Sequence, residues 1–524
     1  MTQATSLPRK KLPIGIQTFS HIRAENHYYV DKTAFALKLA NEGKYYFLSR
    51  PRRFGKSLFL DTLAELFAAN EPLFRELYCH DRWDWSIKYP VIRLSFAEGR
   101  LFTAADLNTH IHDNLHENAE RLGVVRDMPA EDVHLRFKHL IQDVVAHSGQ
   151  NVVILVDEYD KPILDNLTNP ELARAMREGL RNLYSVIKGQ DAHIKFAFLT
   201  GVSKFSKVSI FSGLNNLRDI TLSESYSALC GYTDADVDSV FAPELPGLDR
   251  QKIRDWYNGY NWTGESVYNP FDLLLLFEER EFRPYWFETG TPTFLIDVLT
   301  QRGTFTPKLA ALQSDAQLLN RFDIEDLGTE ALLWQTGYLT IHSKRQMGAR
   351  IEYRLGYPNI EVESALNDVL LKKLMGDASG ASRAVGRLYD TLFANDFAQL
   401  EQHFISLYAS IPHHWYTNNP IADYEGYYAS VFYSHFAALG LDIVVEDCTH
   451  LGRIDMTVLF NGHVYLFEFK VIDTEEKASK GQTALKQLQD KNYAAKYHSR
   501  HEPIHLIGIE FSKRSRSVVG FVVA

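Results

Sequence analysis

A Gly-Lys-Ser triplet, placed between a predicted strand and a predicted helix, has the residue types of a phosphate site. The apolar run 45–48 predicts the strand, and the periodic pattern 58–69 predicts the helix. Backbone N–H groups at a helix start bind phosphate oxygens, a lysine reaches the β- and γ-phosphates, and a hydroxyl binds Mg²⁺. Gly55, Lys56 and Ser57 supply these three groups, so the segment predicts a nucleotide site.

The loop before this triplet departs from the usual phosphate-loop pattern, because Arg50 replaces the first glycine. Three arginines of the loop, Arg50, Arg52 and Arg53, can neutralise phosphates, reach a neighbouring subunit's nucleotide, contact nucleic acid or form a solvated surface. The sequence leaves these alternatives open. The predicted nucleotide contacts in the loop and the helix start are Arg53, Phe54, Gly55, Lys56, Ser57 and Leu58.

A carboxylate pair directly follows the buried strand predicted over 152–156. Ligands of an open α/β sheet bind at the carboxyl ends of its strands, which is where this pair lies. We expect Asp157 to hold Mg²⁺ together with Ser57, and Glu158 to orient or deprotonate the attacking water. Thr200, which ends the next strand, is predicted to sense the γ-phosphate, although a turn-capping role is the alternative.

Two consecutive strands near the C-terminus carry Asp455 and the Glu468-Phe469-Lys470 segment. Residues two apart on a strand share a face, so Glu468 and Lys470 are predicted to face Asp455 across the hairpin. Two carboxylates and a lysine suit Mg²⁺-dependent phosphodiester cleavage. Glu425, at the start of the preceding helix, is a candidate third metal ligand, or an acid favoured there by the helix dipole.

The apolar strands of the first third lack polar alternation and are separated by helices, which predicts a doubly wound parallel α/β sheet. The middle contains a helix followed by a β-hairpin, a winged-helix-like unit that either contacts DNA or packs between domains. The end has a helix, a strand meander, a helix and two strands. We therefore expect a P-loop domain over 1–235, a helical and winged-helix-like region over 236–360, a helical connector over 361–400, and a C-terminal α/β domain over 401–524.

Charge and cysteine content limit the functional classes. The formal net charge is −10, so contact with a polyanion needs a local basic surface. Residues 470–516 carry ten Lys and Arg against six Asp and Glu, a local excess that suits a nucleic acid or serves only as a solubilising surface. The three cysteines are isolated, as expected in a reducing cytoplasm. Neither a signal peptide nor a membrane span is expected.

These segments, taken together, resemble a bacterial and archaeal family with an AAA-ATPase-like N-terminal domain and a C-terminal PD-(D/E)xK nuclease-superfamily domain. The resemblance covers nearly the whole chain and includes the segments 13–19, 29–33, 50–57, 156–162, 199–205, 256–260 and 355–359. In that family, arginine at the position of Arg50 is usual. Ile454 stands where the superfamily has its proline, a frequent departure that removes no ligand.

The resemblance implies a P-loop ATPase with a restriction-endonuclease-like C-terminal domain. Its nuclease motif corresponds to Asp455, Glu468 and Lys470, and the helical acid corresponds to Glu425. It implies ATP and Mg²⁺ as cofactors, DNA rather than RNA as partner, endo- or exodeoxyribonuclease activity, and a setting in genome defence or mobile-element biology. A homo-oligomer is compatible with it. The alternative function is a nucleotide-switched signalling ATPase whose nuclease-like domain only binds nucleic acid or another partner.

Overall fold

The structure, a computed structural model, describes residues 8–125, 132–204, 216–290, 295–296, 298–299, 306–315, 319, 328–410, 425–473 and 478–524. The chain divides into two compact units. The first comprises Met1–Gly290 and Gln313–Asn359, and the second comprises Thr291–Leu312 and Ile360–Ala524.

A five-stranded parallel sheet forms the centre of the first unit. Its strands lie in the order β2, β3, β4, β1, β5. Strand β4 therefore lies between the strand that leads into the phosphate loop and the strand that ends at Asp157. The bounds are β1 Tyr45–Ser49, β2 Val91–Ser95, β3 Val152–Asp157, β4 Ile194–Gly201 and β5 Arg218–Asp219.

The central strands have few exposed residues, as their uninterrupted apolar runs predict. Every residue of β1 is buried, and in β3 all residues before Asp157 are buried. A strand without a solvent-facing side must be covered on both faces, which requires helices between the strands. The predicted α/β class is confirmed. The helices of this part are α1 Phe19–Ala24, α2 Thr33–Glu42, α3 Lys56–Phe67, α4 Ala104–Arg121, α5 Val133–Ser148, α6 Lys161–Leu164 and α7 Pro170–Gly189.

A helical region with its own aromatic core follows the sheet. The core includes Tyr28, Phe241, Tyr257, Tyr268 and Phe277, so residues far apart in sequence share one cluster. A helix and a β-hairpin then complete the first unit, as predicted. The bounds are α8 Asp234–Val240, α9 Arg250–Tyr257, α10 Pro270–Glu279, α11 Tyr285–Gly290, β6 Leu312–Asp315, α12 Thr329–Thr336, β7 Thr340–Met347 and β8 Arg350–Gly356.

A mixed five-stranded sheet forms the second unit, in the order β13, β12, β11, β10, β9. Strands β11 and β12 are parallel, and the other neighbours are antiparallel. The helices are α13 Ile360–Met375, α14 Ala378–Phe393, α15 Phe397–Ala409, α16 Glu425–Ala437 and α17 Gln482–Asp490. The strands are β9 Asp442–Thr449, β10 Gly452–Phe460, β11 His463–Ile472, β12 Ile504–Ser512 and β13 Ser517–Val523.

One predicted helix of this unit differs from the structure. The pattern predicts a continuous helix over 483–497, but α17 ends at Asp490 and a 3₁₀ helix spans Tyr493–Arg500. Asn492 between them has a φ of 45°, a left-handed conformation that a continuing α-helix excludes. The helix predicted over 422–438 is found from Glu425, and residues 422–424 lie outside the described residues.

All three cysteines are free thiols. Among the described residues, no helix combines the length and the apolar composition that crossing a membrane requires.

Candidate functional site

The Gly-Lys-Ser triplet lies at the start of α3, as predicted. Gly55 is the N-cap residue, and its φ of 88° is in the left-handed region that favours glycine. Lys56 is buried, and its Nζ donates to the carbonyl oxygens of Arg50, at 3.0 Å, and Pro51, at 2.9 Å. The lysine therefore lies over the loop that it would use to bind phosphate, and a polyphosphate would replace these two carbonyls as its partner.

A cavity of about 540 Å³ opens beside this loop, a volume within the usual range for small-molecule sites. Loop residues form one wall, and two N-terminal segments, 13–17 and 28–32, contribute to another. The lining includes Gln17, Tyr28, Tyr29, Lys32, Arg52, Arg53, Phe54, Gly55, Lys56, Ser57, Leu58, Glu158, Lys161, Cys230, Tyr232, Phe271 and Leu274.

The cavity brings together all six predicted nucleotide contacts of the loop and helix start, with Glu158. Two predicted residues lie outside its lining. Asp157, at the end of β3, accepts the backbone N–H of Glu158 at 3.0 Å. Thr200 is fully buried, and its hydroxyl donates to the Leu48 carbonyl at 2.9 Å. Thr200 thus has a partner within the sheet, between β4 and β1.

Glu158 is the carboxylate of the pair that faces the cavity. Its φ of 48° turns the backbone sharply after β3. Burial raises its pKa, and the negative charges of Asp157 and Asp160 raise it further, against the opposing charge of Lys56. A carboxylate with a raised pKa beside a phosphate loop has the properties of a general base.

Residues from the helical region hold the phosphate loop in place. The Trp286 Nε1–H donates to the Arg52 carbonyl at 3.1 Å. The Arg53 guanidinium lies 4.6 Å from the centre of the Phe271 ring. The Arg53 backbone has a positive φ of 69°. The Phe54 ring packs edge-on against Tyr260, with ring centres 4.7 Å apart.

Sequence reasoning missed the cavity walls at 229–232 and 270–274. Cys230, Gly231 and Tyr232 reach the cavity because Tyr232 pairs with Tyr268 in an isolated antiparallel bridge. Neither segment has a local motif. Their only sequence signal is the aromatic content of the region, which is equally typical of a core.

These residues fit ATP. The positive-φ Gly55, the helix start at Lys56 and the hydroxyl of Ser57 form a phosphate cradle, and the aromatic and aliphatic walls suit a base. Ser57, with Asp157 acting through water, would hold the accompanying Mg²⁺. ATP would bring the phosphoryl group, while this chain positions it and orients water through Glu158.

The second predicted site lies on β10 and β11. The registered pair Met456–Phe467 places Asp455 opposite Glu468 at the next position. Asp455 Oδ2 accepts the backbone N–H of Phe469 at 2.7 Å, and Lys470 Nζ lies 3.3 Å from Glu468 Oε1. Asp455, Glu468 and Lys470 are therefore brought together, as predicted.

Glu468 is an unusual carboxylate, because its side chain is 1% exposed. The Gln487 side-chain amide donates to Oε1, whereas Oε2 has no hydrogen-bond partner among the described residues. Burial raises the pKa of Glu468 to about 7, and the Asp455 charge raises it as well, against the opposing effect of Lys470. A buried, half-satisfied carboxylate is costly unless a ligand completes its coordination.

The face of the sheet that carries Glu468 is distinct from the face that carries its neighbours. Phe467 and Phe469 pack on Phe432 of α16, with ring centres 5.2 and 4.9 Å apart. Glu468 instead contacts Gln487 of α17. Glu425 is the first residue of α16, and its side chain lies outside what the structure describes.

These carboxylates fit a hard divalent cation such as Mg²⁺, which prefers carboxylate oxygens. Asp455 and Glu468 would hold it, with Glu468 Oε2 as one donor. A bound Mg²⁺ would stabilise charge on a phosphate and lower the pKa of a water. Lys470 is placed to donate to an oxygen at the same point, and its side chain is 34% exposed, which leaves it accessible.

Comparison with known proteins identifies two family matches along the chain. Residues 13–211 match the family described as "Predicted AAA-ATPase", and residues 423–521 match the PD-(D/E)XK nuclease superfamily. The chain is also 64% identical, over 99% of both chains, to the Azotobacter chroococcum mcd 1 protein named "Uncharacterized protein in vnfD 5'region". The chain therefore belongs to the same family as that protein. In this chain, the AAA-ATPase-like region precedes the PD-(D/E)XK nuclease-superfamily region.

Proposed function

We propose that this protein binds and hydrolyses ATP at the cavity beside Lys56 and cleaves DNA in a Mg²⁺-dependent reaction at Asp455, Glu468 and Lys470. The observation that carries the nuclease part is the buried Glu468 carboxylate, whose Oε2 lacks a partner within the described part of the chain while Asp455 lies opposite. Two adjacent carboxylates in a low-polarity setting repel each other, and a cation between them removes that repulsion.

The ATPase part is supported by the composition of the cavity. Lys56, Ser57 and Glu158 meet at a helix start, next to apolar walls of the size that a nucleotide needs. Lys56 makes hydrogen bonds only with loop carbonyls among the described residues, so phosphate oxygens can take their place without breaking an ion pair.

DNA is favoured as substrate by the resemblance and by the charge near the second site. Lys486 and Lys491 are exposed close to Gln487, which contacts Glu468. Cations in or next to the helix that contacts a metal-binding carboxylate suit the phosphates of a nucleic-acid backbone. Genome defence or mobile-element biology is the proposed setting, in the cytoplasm.

The deciding experiment incubates the full chain with single-stranded and duplex DNA and RNA, with Mg²⁺, with and without ATP. Asp455→Ala and Lys470→Ala should each abolish cleavage and leave ATP hydrolysis intact. Asp442→Ala on β9 and Lys372→Ala on α13 are matched controls, because each removes the same charge elsewhere in the same unit. Unchanged cleavage by the Asp455 and Lys470 variants would refute the nuclease function.

Lys56→Ala tests the ATPase part separately. This variant should lose ATP binding and hydrolysis, whereas Lys44→Ala, which removes a surface ion pair with Asp191, should keep both. ATP hydrolysis that persists in Lys56→Ala would place the nucleotide elsewhere. Cleavage that remains in Lys56→Ala without ATP would show that the two activities are independent.

A further inference from the structure

Two histidines and a glutamate meet at the end of α1, and none of the three is part of the nucleotide-cavity lining. His21 Nε2 lies 2.8 Å from Glu25 Oε1, and His27 Nε2 lies 3.6 Å from Glu25 Oε2. One ligand atom from each of the three side chains lies within 4.8 Å of the ligand atoms of the other two. Imidazole nitrogen and carboxylate oxygen are donors that Zn²⁺ accepts.

His27 provides an independent sign that a ligand belongs here. The residue is 8% exposed, yet neither Nδ1 nor Nε2 has a hydrogen-bond partner among the described residues. Buried imidazoles normally make at least one hydrogen bond, because an unpaired buried polar atom costs free energy. The His27 Nε2 faces the Glu25 carboxylate. An ion bound to that carboxylate would therefore also give Nε2 a partner.

The spacing suits a tetrahedral ion after small side-chain movements. With zinc bonds of about 2.0–2.2 Å, ligand atoms stand about 3.3–3.5 Å apart. The contacts of Glu25 with His21 and His27 lie close to this separation. The side chains of His21 and Glu25 are 48% and 46% exposed, so both are free to adjust around the fixed His27.

We propose that His21, Glu25 and His27 bind one Zn²⁺, with water in the fourth position. Lys11 is the competitor for this site, since its Nζ lies 2.9 Å from Glu25 Oε2. The zinc ion displaces that ammonium group.

The position of the site gives it a structural role. Lys11 and His27 form a parallel bridge, and the Tyr28 N–H donates to the Lys11 carbonyl at 3.0 Å. The segments on either side, 13–17 and 28–32, line the nucleotide cavity. Zinc bound to His21 and His27 would fasten α1 to the second segment and so fix this wall of the cavity.

The competing explanation is a surface cluster of ion pairs among Lys11, His21 and Glu25. In that case zinc does not bind in stoichiometric amount, and removing Lys11 only weakens the cluster. If the cluster is a zinc site, removing Lys11 strengthens zinc binding, because it frees Glu25 Oε2. The sign of the Lys11→Met effect therefore separates the two explanations.

The test measures zinc bound to the full chain carrying Asp455→Ala, with excess Mg²⁺, so that the nuclease-like carboxylates do not contribute. After dialysis against buffered Zn²⁺, elemental analysis should give one equivalent per chain. Co²⁺ in place of Zn²⁺ should give the visible absorption of a tetrahedral site. Lys11→Met should bind Zn²⁺ more tightly than the parent chain.

His21→Ala and His27→Ala should each lose the bound equivalent. The matched control is His116→Ala, because His116 also pairs with a glutamate four residues later, at 3.3 Å, and its side chain is also 48% exposed. If His27→Ala fails to fold, the His21→Ala variant, which changes an exposed side chain, tests the proposal. The proposal is overturned if no equivalent binds, if it persists in folded His21→Ala, or if His116→Ala removes it equally.

Discussion

The guanidinium carbon of Arg50 lies 4.0 Å from the centre of the Trp262 ring. Arg50 is fully buried, and its terminal nitrogens donate to the carbonyls of Ser49, Thr221 and Tyr226 at 2.8–3.1 Å. Burial lowers the pKa of Arg50 to about 10, so the group stays protonated at neutral pH. The arginine that replaces the first glycine of the phosphate loop thus fastens the loop to the segments that follow β5.

Arg50→Gly, which restores the usual glycine, should therefore destabilise the protein. Three buried carbonyls lose their donor and a cation–π contact disappears, so the free energy of unfolding should fall by about 3 kcal/mol or more. Arg50→Lys should not rescue it, since an ammonium group lacks the planar fork. Thermal or urea unfolding measures the effect. A variant with wild-type stability and tighter ATP binding would contradict this role for Arg50.

Gln487 is a positioning residue for the nuclease-like site. Its amide donates to Glu468 Oε1 and fixes the carboxylate that would bind Mg²⁺. Gln487→Leu should lower cleavage by about 10–100-fold and raise the Mg²⁺ concentration needed for half-maximal rate. Gln489→Leu, an exposed glutamine of the same helix, is the control. A lower rate with unchanged Mg²⁺ dependence would assign Gln487 a purely structural role.

Lys486 and Lys491 should bind the phosphate backbone of the substrate. Lys486 lies in the middle of the helix that carries Gln487, Lys491 directly follows that helix, and both side chains are exposed. Replacing either with alanine should weaken DNA binding for all sequences alike and reduce the salt dependence of log K by about one. Binding titrations by fluorescence anisotropy at several salt concentrations measure this slope. An unchanged slope in the double variant would mean that DNA binds elsewhere.

Sequence alone predicted the sheet of the first unit well, because its strands are uninterrupted apolar runs. The predicted runs 45–48 and 152–156 match β1 and β3 to within a residue. The shared face of Glu468 and Lys470 also followed from strand periodicity, since residues two apart lie on one face, and the hairpin register places Asp455 opposite Glu468. Local patterns suffice where the chain's own periodicity determines the geometry.

Contacts between distant segments could not be predicted in this way. The burial of Arg50 depends on Trp262, more than two hundred residues later, and a loop arginine is otherwise exposed. The break at Asn492 contains neither proline nor glycine. It brings the buried Tyr493 close to Glu468, and the pKa of Tyr493 is raised first by burial and then by the Glu468 charge. Tertiary packing decided both features, and neither has a local signal.

A stacked histidine pair makes the second unit sensitive to acid. His403 Nε2 lies 2.7 Å from His435 Nε2, with ring centres 4.9 Å apart. Burial lowers the pKa of His403 to about 4 and that of His435 well below its ordinary value, and Arg387 lowers both further. Both rings are therefore neutral in the folded protein at pH 7, and one donates to the other.

The unfolded chain binds protons at these histidines near pH 6.5, while the folded chain resists them until about pH 4. Stability from the pair is therefore present above pH 6.5 and is lost as the pH falls toward 4, by up to ~1.4 kcal/mol per pH unit for each histidine. Glu363 partly offsets this loss, because burial raises its pKa to about 7 and its protonation favours the folded state.

His403→Gln should destabilise the protein at pH 7, and the difference from wild type should shrink as the pH falls from 6.5 to 4.5, because the variant lacks one of the two histidines. Urea unfolding followed by circular dichroism across this range measures the difference. His116→Gln, at an exposed position, should give a difference that stays near zero throughout. A His403→Gln difference that is constant with pH would show that the pair is already protonated in the folded protein or contributes only packing.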